Sequence, residues 1–429
     1  MTKSMQIKNN QLYLGKFPLS DLVRKYQTPL MVFDWAHIRE RMNEFTEYTK
    51  SSLFSTRLVY ASKAFLAPYF CVLMKEAGWW IDATSGGDLY IIEQSGFPLS
   101  RVVFHGNNKS TEELKVAVTK GVGIIVVDHI EELRKIVQLA TQYRSEVNTM
   151  LRINPGIEAH THYYIQTSLL SSKFGLSIED AQGLEEIMQI YLHNPMVRLL
   201  GFHAHIGSQI IDVKPFVACA RQMLEFSHHT EKLYHYPLRH LNLGGGFGIR
   251  YTDEEIDYGR LLSLLLNEIN ANLLSLSYQL DALYFEPGRA IVGEAGTTLY
   301  TVDYVKSIWG GKKYLFIDGG MTDNIRTALY QAKYRVANVN TAVSEKMIIA
   351  DVVGKCCESG DIIAQDVEIP FPDQGDVLAV FSTGAYCYPM AMNYNGALRP
   401  AVIVVDGDQI EEVCRRETYQ DLEKLFTKK

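Results

Sequence analysis

Residues 102–128 read VVFHGNNKSTEELKVAVTKGVGIIVVD. The apolar run Val102-Val103-Phe104 breaks off into His105-Gly106-Asn107. Ser110-Thr111-Glu112-Glu113 then has the polar, acidic signature of a helix start, and Leu114, Ala117 and Val118 follow at helical spacing. A second apolar run, Ile124 to Val127, ends in Asp128-His129. The stretch is one unit of strand, loop, helix and strand.

The same rhythm continues on both sides. Leu58-Val59-Tyr60 and Trp80-Ile81 precede it, so the first four runs recur about every 22 residues. Met150 to Ile153, Leu200 to Phe202, Leu241 to Leu243 and Leu283 to Phe285 follow. Leu262, Leu265, Leu266, Ile269 and Leu273 mark a further amphipathic helix. Eight apolar runs alternating with helices predict an α/β fold, a TIM-like (β/α)8 barrel. From residue 290 the spacing changes. Thr297 to Val305, Tyr314 to Ile317, Met347 to Val353, Val377 to Phe381 and Ala401 to Val405 lack helix-length spacers, and Val404 to Asp408 reads as a hairpin turn. The expected organisation is an N-terminal segment (1–30) packing with the β domain, a cofactor-binding barrel (31–289) and a C-terminal, mainly β domain (290–429).

The tails of the eight runs gather polar chemistry: Ala61-Ser62-Lys63, Asp82-Ala83-Thr84, His105-Gly106-Asn107, Asp128-His129, Asn154-Pro155, His203-Ala204-His205, Gly244-Gly245-Gly246 and Glu286-Pro287-Gly288-Arg289. Barrel enzymes build their active sites at the C-terminal ends of their strands. Strand ends favour Asn, Asp and Gly in any protein. A lysine, several histidines and a Glu-Arg pair together call for more than loop chemistry.

The chain has 429 residues, of which 47% are hydrophobic and 21% charged, so it can bury a substantial core. Its net charge of −7 argues against nucleic acid or an anionic membrane as partner. No apolar run approaches the roughly 20 residues that span a bilayer, and the N-terminus has no apolar signal core. The six cysteines form no C-x-x-C pair, and reduced thiols in the cytoplasm are expected.

Lys63 has small or apolar neighbours in YASKAF, a setting that lowers an amine pKa and suits a Schiff base. Gly244 to Gly246 would let backbone N–H groups close on an anion, and barrel phosphate sites often use the loops after strands seven and eight. Glu286 could keep a pyridine nitrogen protonated, and Arg289 could meet a phosphate or carboxylate; a turn with a surface ion pair would also fit. His205 could stack on an aromatic cofactor. With His203 it could instead bind a metal, but no third ligand has obvious spacing, and no metal is expected.

In this order, these features resemble the fold-type III pyridoxal-phosphate enzymes, which combine an alanine-racemase-like barrel with a C-terminal β domain. Within that group the chain is most similar to the diaminopimelate decarboxylase family, over about residues 12 to 420. The stretches that carry the resemblance are YASKAF, HGNNKS, INPGIEAHTH, SSKFGL, HIGSQI, LNLGGGFGIRY, EPGR, DGGMTDNIRTALYQA, CCESGD and GAY…NYN…RP. Together they are specific; singly they are not.

The resemblance implies pyridoxal 5'-phosphate as cofactor, held by Lys63 through a Schiff base. It puts His205 against the ring and Glu286 on the pyridinium nitrogen. Ser208, Gly244, Gly245, Gly246, Gly288, Arg289 and Tyr386 would surround the phosphate or its edge. Arg289, Arg326, Tyr330 and Tyr386 would bind substrate, the first three clamping the carboxylate that does not react. Cys357 would be the proton donor and Glu358 would bind the distal amino group, both reaching the site from the other subunit of a homodimer. Lys173 matches a family lysine that pairs across the interface with the acid at the Asp361 position. The implied reaction is decarboxylation of meso-2,6-diaminopimelate to L-lysine and carbon dioxide, the last step of lysine biosynthesis, with a small-molecule amino-acid substrate and no nucleic acid or membrane partner. Thr327, Cys387, Pro389 and Gly396 depart from the usual pattern near Tyr386.

The alternative on the same fold is a decarboxylase of ornithine, lysine or arginine. Those resemble a Cys-Asp pair where this chain has Cys357-Glu358, and lack the Arg326 clamp. An alanine racemase would carry Arg opposite the ring nitrogen and a catalytic Tyr. A cofactor carrier without turnover would not be expected to combine Lys63, Glu286 and Cys357.

Overall fold

The computed structural model describes residues 1–157, 172–252 and 254–427. Residues 158–162 of the INPGIEAHTH stretch and Ser171 of SSKFGL lie outside the described residues. The chain divides into two units.

The first unit comprises Asn43–Gly248 and Ile256–Gly288. Its barrel is made of eight parallel strands, β1 (Ser55–Tyr60), β2 (Trp80–Ala83), β3 (Val102–Phe104), β4 (Ile124–Val127), β5 (Val147–Asn154), β6 (Val197–His203), β7 (His240–Asn242) and β8 (Ala282–Phe285), with the two-residue strand Leu176–Ser177 added alongside β5. Each pairs with the next in sequence order, and β8 pairs back onto β1 with Ala282 opposite Ser55, which closes the barrel. The strands read as continuous apolar runs because both of their faces are covered; β3, β4 and β8 are buried at every position. Val59, Val103, Ile124, Val126, Met150, Ala282 and Tyr284 form a core cluster of this unit. The helix expected after Ser110 runs Thr111–Thr119 and is closed by a reciprocal cap: the Ser110 hydroxyl accepts from Glu113 N–H, and the Glu113 carboxylate accepts from Ser110 N–H at 2.8 Å.

The second unit comprises Met1–Met42, Ile249–Glu255 and Arg289–Lys429. Its main sheet runs Ile362–Pro370, Met347–Val353, Lys313–Ile317, Gly296–Ser307, Leu30–Asp34, Ala401–Asp406, Gln409–Cys414 in spatial order. Val377–Phe381 also pairs with Gly296–Ser307, and Val336–Asn338 pairs with Val377–Phe381. The hairpin at Gly407-Asp408 is present, with Asp406 opposite Gln409. Leu30–Asp34 lies between Gly296–Ser307 and Ala401–Asp406, so this unit keeps the chain as far as Met42 rather than ending its N-terminal part at residue 30. Its core includes Leu12, Leu30, Val32, Leu299, Ala379 and Ile403. Among the described residues no helix is long and apolar enough to cross a membrane, and all six cysteines are free thiols.

Candidate active site

In the barrel, the predicted residues cluster at the C-terminal strand ends. Lys63 sits in a one-turn 3-10 helix (Ser62–Ala64) directly after β1, exposed between buried neighbours. Two contacts fix this turn. Asp82, at the end of β2, accepts the Ser62 N–H at 2.5 Å, and Ala61 N–H donates to the Pro287 carbonyl at 3.1 Å. Gly288 permits the second approach: a Cβ there would lie 2.7 Å from Ala61 Cβ and 2.9 Å from Ala61 O. The loop bearing Lys63 and the strand end bearing Glu286 are therefore held together by backbone. Burial pushes the Asp82 carboxyl up, while the Lys63 and His105 charges pull it down and leave it net raised.

Glu286 is buried among donors. His105 Nε2 lies 2.8 Å and Asn242 Nδ2 2.7 Å from its Oε1, and His203 Nε2 lies 3.4 Å from Oε2. Burial alone would raise this carboxyl, but His105 and His203 outweigh it and hold Glu286 well below the usual carboxylate range. Burial conversely pushes His203 down to about 4, so it is a neutral imidazole at pH 7. The donor atoms of His105, His203 and Glu286 fall within 4.8 Å of one another, close enough for a metal. Glu286 Oε1 is already engaged by two hydrogen bonds, and His203 turns to Glu286 rather than pairing with His205 in the metal site considered from spacing.

His205 lies past the end of β6, and its Nδ1 accepts the Gly245 N–H at 3.2 Å. Burial, then the Lys63 charge, push it well below its ordinary value, which leaves a flat neutral ring. Gly244 and Gly246 have φ of +66° and +103°. Side chains on this loop would strike Ala204 O, Glu286 O and Gly207 O. Ile210 N–H donates to Gly246 O and Gly248 N–H to Ile210 O, both at 2.9 Å, tying the loop that contains Ser208 to the glycine loop. An exposed amine, an ionised buried carboxylate, a neutral ring and a side-chain-free backbone loop suit a cationic heteroaromatic ring bearing an aldehyde and a phosphate.

The second unit holds another group. Arg289 is buried, donates to the Tyr251 hydroxyl, and stands 4.8 Å from the Tyr386 ring centre. Arg326 is buried, 5.0 Å from the Tyr330 ring and 5.4 Å from that of Tyr386. Its Nε has no hydrogen-bond partner among the described residues. Tyr386 has φ +66°, a strained conformation for a bulky residue. Cys387, the departure from the usual pattern, is buried; its thiol donates to Asn324 Oδ1 at 3.4 Å and lies 3.6 Å from the Tyr334 hydroxyl. Burial pushes that thiol up to about 11, against the pull of Arg326.

Cys357 and Glu358 have different neighbours. Cys357 is exposed and its N–H donates to Asn395 Oδ1 at 3.2 Å, while Glu358 accepts from the Tyr394 hydroxyl. Asp361, only 3% exposed, organises this loop by accepting Met321 N–H at 2.6 Å and Cys356 N–H at 2.8 Å.

Three residues that make these contacts, Asp82, His105 and Asn242, escaped the sequence reading as candidate site residues. Asp82 and His105 were visible as strand tails, but only the folded barrel shows what they touch. Asn242 lies inside the run Leu241 to Leu243, where nothing local distinguishes it from a strand residue.

The family of pyridoxal-dependent decarboxylases, represented by its pyridoxal binding domain, matches residues 35–293. The chain is 42% identical over 424 residues to the diaminopimelate decarboxylase of Bacillus subtilis, covering 98% of this chain and 96% of that one. It is 39% identical to that of Staphylococcus aureus, covering 96% and 97%. Among solved structures, a diaminopimelate decarboxylase from M. jannaschii in complex with L-lysine superimposes with a TM-score of 0.91 at 31% identity, covering 98% of this chain and 97% of that one.

Proposed function

Since this chain belongs to the pyridoxal-dependent decarboxylases, and within them to the diaminopimelate decarboxylase family, we propose that it converts meso-2,6-diaminopimelate to L-lysine and carbon dioxide, the last step of lysine biosynthesis. The observation that carries the choice of substrate is Arg326. A buried guanidinium with an unpartnered Nε suits a second carboxylate, which ornithine, lysine and arginine lack.

Pyridoxal phosphate, when bound, supplies the electron sink for the pair left behind as carbon dioxide departs. Lys63 Nζ would hold the cofactor through its aldehyde carbon. Glu286, held ionised, would keep a proton on the ring nitrogen, and the neutral His205 would offer its flat face to the ring. Ser208, the Gly244–Gly246 loop, Gly288, Arg289 and Tyr386 receive the phosphate or its edge. Arg289, Arg326 and Tyr330 hold the distal carboxylate, so that only one carboxyl is placed to leave. The Cys357 thiol delivers the proton that replaces carbon dioxide, and Glu358 binds the distal ammonium. The active form is a homodimer in which Cys357 and Glu358 serve the cofactor of the partner subunit. The six free thiols suit the reducing cytoplasm, where we place the enzyme.

Carbon dioxide release from meso-diaminopimelate, ornithine, lysine and arginine, measured side by side, tests this reading. Release from diaminopimelate alone supports it; release from a monocarboxylic diamine but not from diaminopimelate overturns it.

A further inference from the structure

We propose that His105 and Asn242 are positioning residues that clamp Glu286 Oε1 and couple this carboxylate to the Gly244–Gly246 loop. The inference rests on the pyridoxal-dependent reading above and deepens it, because it assigns roles to two side chains that need not touch the reacting atoms.

An ionised carboxylate only accepts, so His105 must carry its hydrogen on Nε2 to make the 2.8 Å contact with Oε1. Asn242 Nδ2 donates to the same oxygen at 2.7 Å. Its other end is also used: Asn242 Oδ1 accepts the Gly244 N–H at 2.8 Å, and the Glu286 N–H donates to Gly244 O at 2.7 Å. One amide therefore joins the charge anchor to the start of the glycine loop. The His105 backbone is itself fixed, its N–H donating at 2.8 Å to the carbonyl of Ala83, the last residue of β2. Oε2 is held more loosely, 3.4 Å from His203 Nε2 on β6. Other titratable groups that act on Glu286 are Arg152 on β5, Asp82 on β2 and His205 past the end of β6. Among these, His105 and Asn242 alone make short hydrogen bonds to Glu286. Both are buried, so water cannot replace them. Without the clamp, the carboxylate would turn or take up a proton, and a protonated Glu286 no longer stabilises a protonated ring nitrogen.

The test uses the full-length protein loaded with pyridoxal phosphate. His105→Leu removes the donor, His105→Gln restores an N–H, and Asn242→Asp keeps the Gly244 contact while setting an acceptor against Oε1. The pH titration of the cofactor's visible absorbance is recorded beside steady-state kinetics. Loss of a hydrogen bond to a charged group should lower kcat about 10- to 100-fold in His105→Leu and Asn242→Asp, with KM changed less than about threefold. The absorbance midpoint should move by about one pH unit or more, and His105→Gln should recover most of both effects. If His105→Leu does not fold, Asn242→Asp carries the same test. Wild-type titration and kcat per bound cofactor, with only the melting temperature lowered, would overturn the clamp, as would a His105→Gln protein no better than His105→Leu. A wild-type protein that neither gains cofactor absorbance nor releases carbon dioxide would instead remove the functional reading beneath it.

Discussion

Gly245 runs so close to Glu286 that a Cβ on it would lie 2.1 Å from the Glu286 carbonyl oxygen. The loop after β7 and the end of β8 meet backbone to backbone, and the Glu286 N–H closes the contact on Gly244 O at 2.7 Å. The loop assigned to the phosphate and the carboxylate assigned to the ring are thus placed by one local packing requirement.

Gly245→Ala should break that register. Overpacking of this kind costs about 1–3 kcal/mol, because neither backbone can rotate away as a side chain would. Cofactor retention should fall by about 5- to 150-fold, read by spectrophotometric titration, with a lower melting temperature. Wild-type affinity in the alanine variant would mean that the two loops separate without consequence for the cofactor.

Lys63→Ala should lose the long-wavelength absorbance of bound cofactor and nearly all turnover. Borohydride reduction of the wild-type protein, followed by peptide mapping, should mark Lys63. Labelling of a different lysine would move the attachment point.

Arg326→Ala should cut kcat/KM for diaminopimelate by one to three orders of magnitude, since loss of one partner of a buried charged pair costs roughly 2–5 kcal/mol. Arg326→Lys should recover only part, because an ammonium does not reproduce the planar fork of a guanidinium. An unchanged kcat/KM in the alanine variant would place the distal carboxylate elsewhere.

The barrel was readable because its strands are buried on both faces, so each of the eight apolar runs coincides with a strand. The Ser110–Glu113 cap was readable because it is local. By contrast, the position of Leu30–Asp34 between Gly296–Ser307 and Ala401–Asp406 depends on pairings hundreds of residues away. The hydrogen bonds on Glu286 were hidden for the same reason: His105, Asn242 and Glu286 come from three separate strand ends and meet only when the barrel closes. His203 shows the limit of spacing arguments. Two residues from His205, it suggested a metal pair, yet it faces Glu286.

Stability should decline as pH falls from about 6.5 to about 4. His203 and His240 are both pushed down to about 4 by burial, with Glu286 opposing the shift of His203 and Arg57 adding to that of His240. In the unfolded chain an imidazole titrates near 6.5. Above that value neither state is protonated at these histidines and their full contribution is present. Below it the unfolded chain takes up protons that the folded chain refuses until about 4, so folding weakens by up to about 1.4 kcal/mol per pH unit for each histidine. His240 Nδ1 meets the Tyr284 hydroxyl at 2.8 Å, and His240→Gln, which removes the imidazole, should reduce the slope of denaturation free energy against pH in this window. An identical slope in the variant would show that His240 titrates normally.

Mixing two inactive variants should restore activity if sites are shared between subunits. Lys63 follows β1 in the barrel unit, whereas Cys357 is an exposed thiol on the loop that Asp361 and Asn395 organise in the other unit. In the proposed dimer each site takes Lys63 from one chain and Cys357 from the other. A hybrid of Lys63→Ala and Cys357→Ala subunits then carries one intact site and one doubly broken site. Random exchange makes about half of the dimers hybrids, so activity should return to about a quarter of wild type when the two sites act independently. Native mass measurement establishes that exchange has occurred. If hybrids form and the mixture stays inactive, Lys63 and Cys357 serve the same site from one chain, and the shared-site arrangement is wrong.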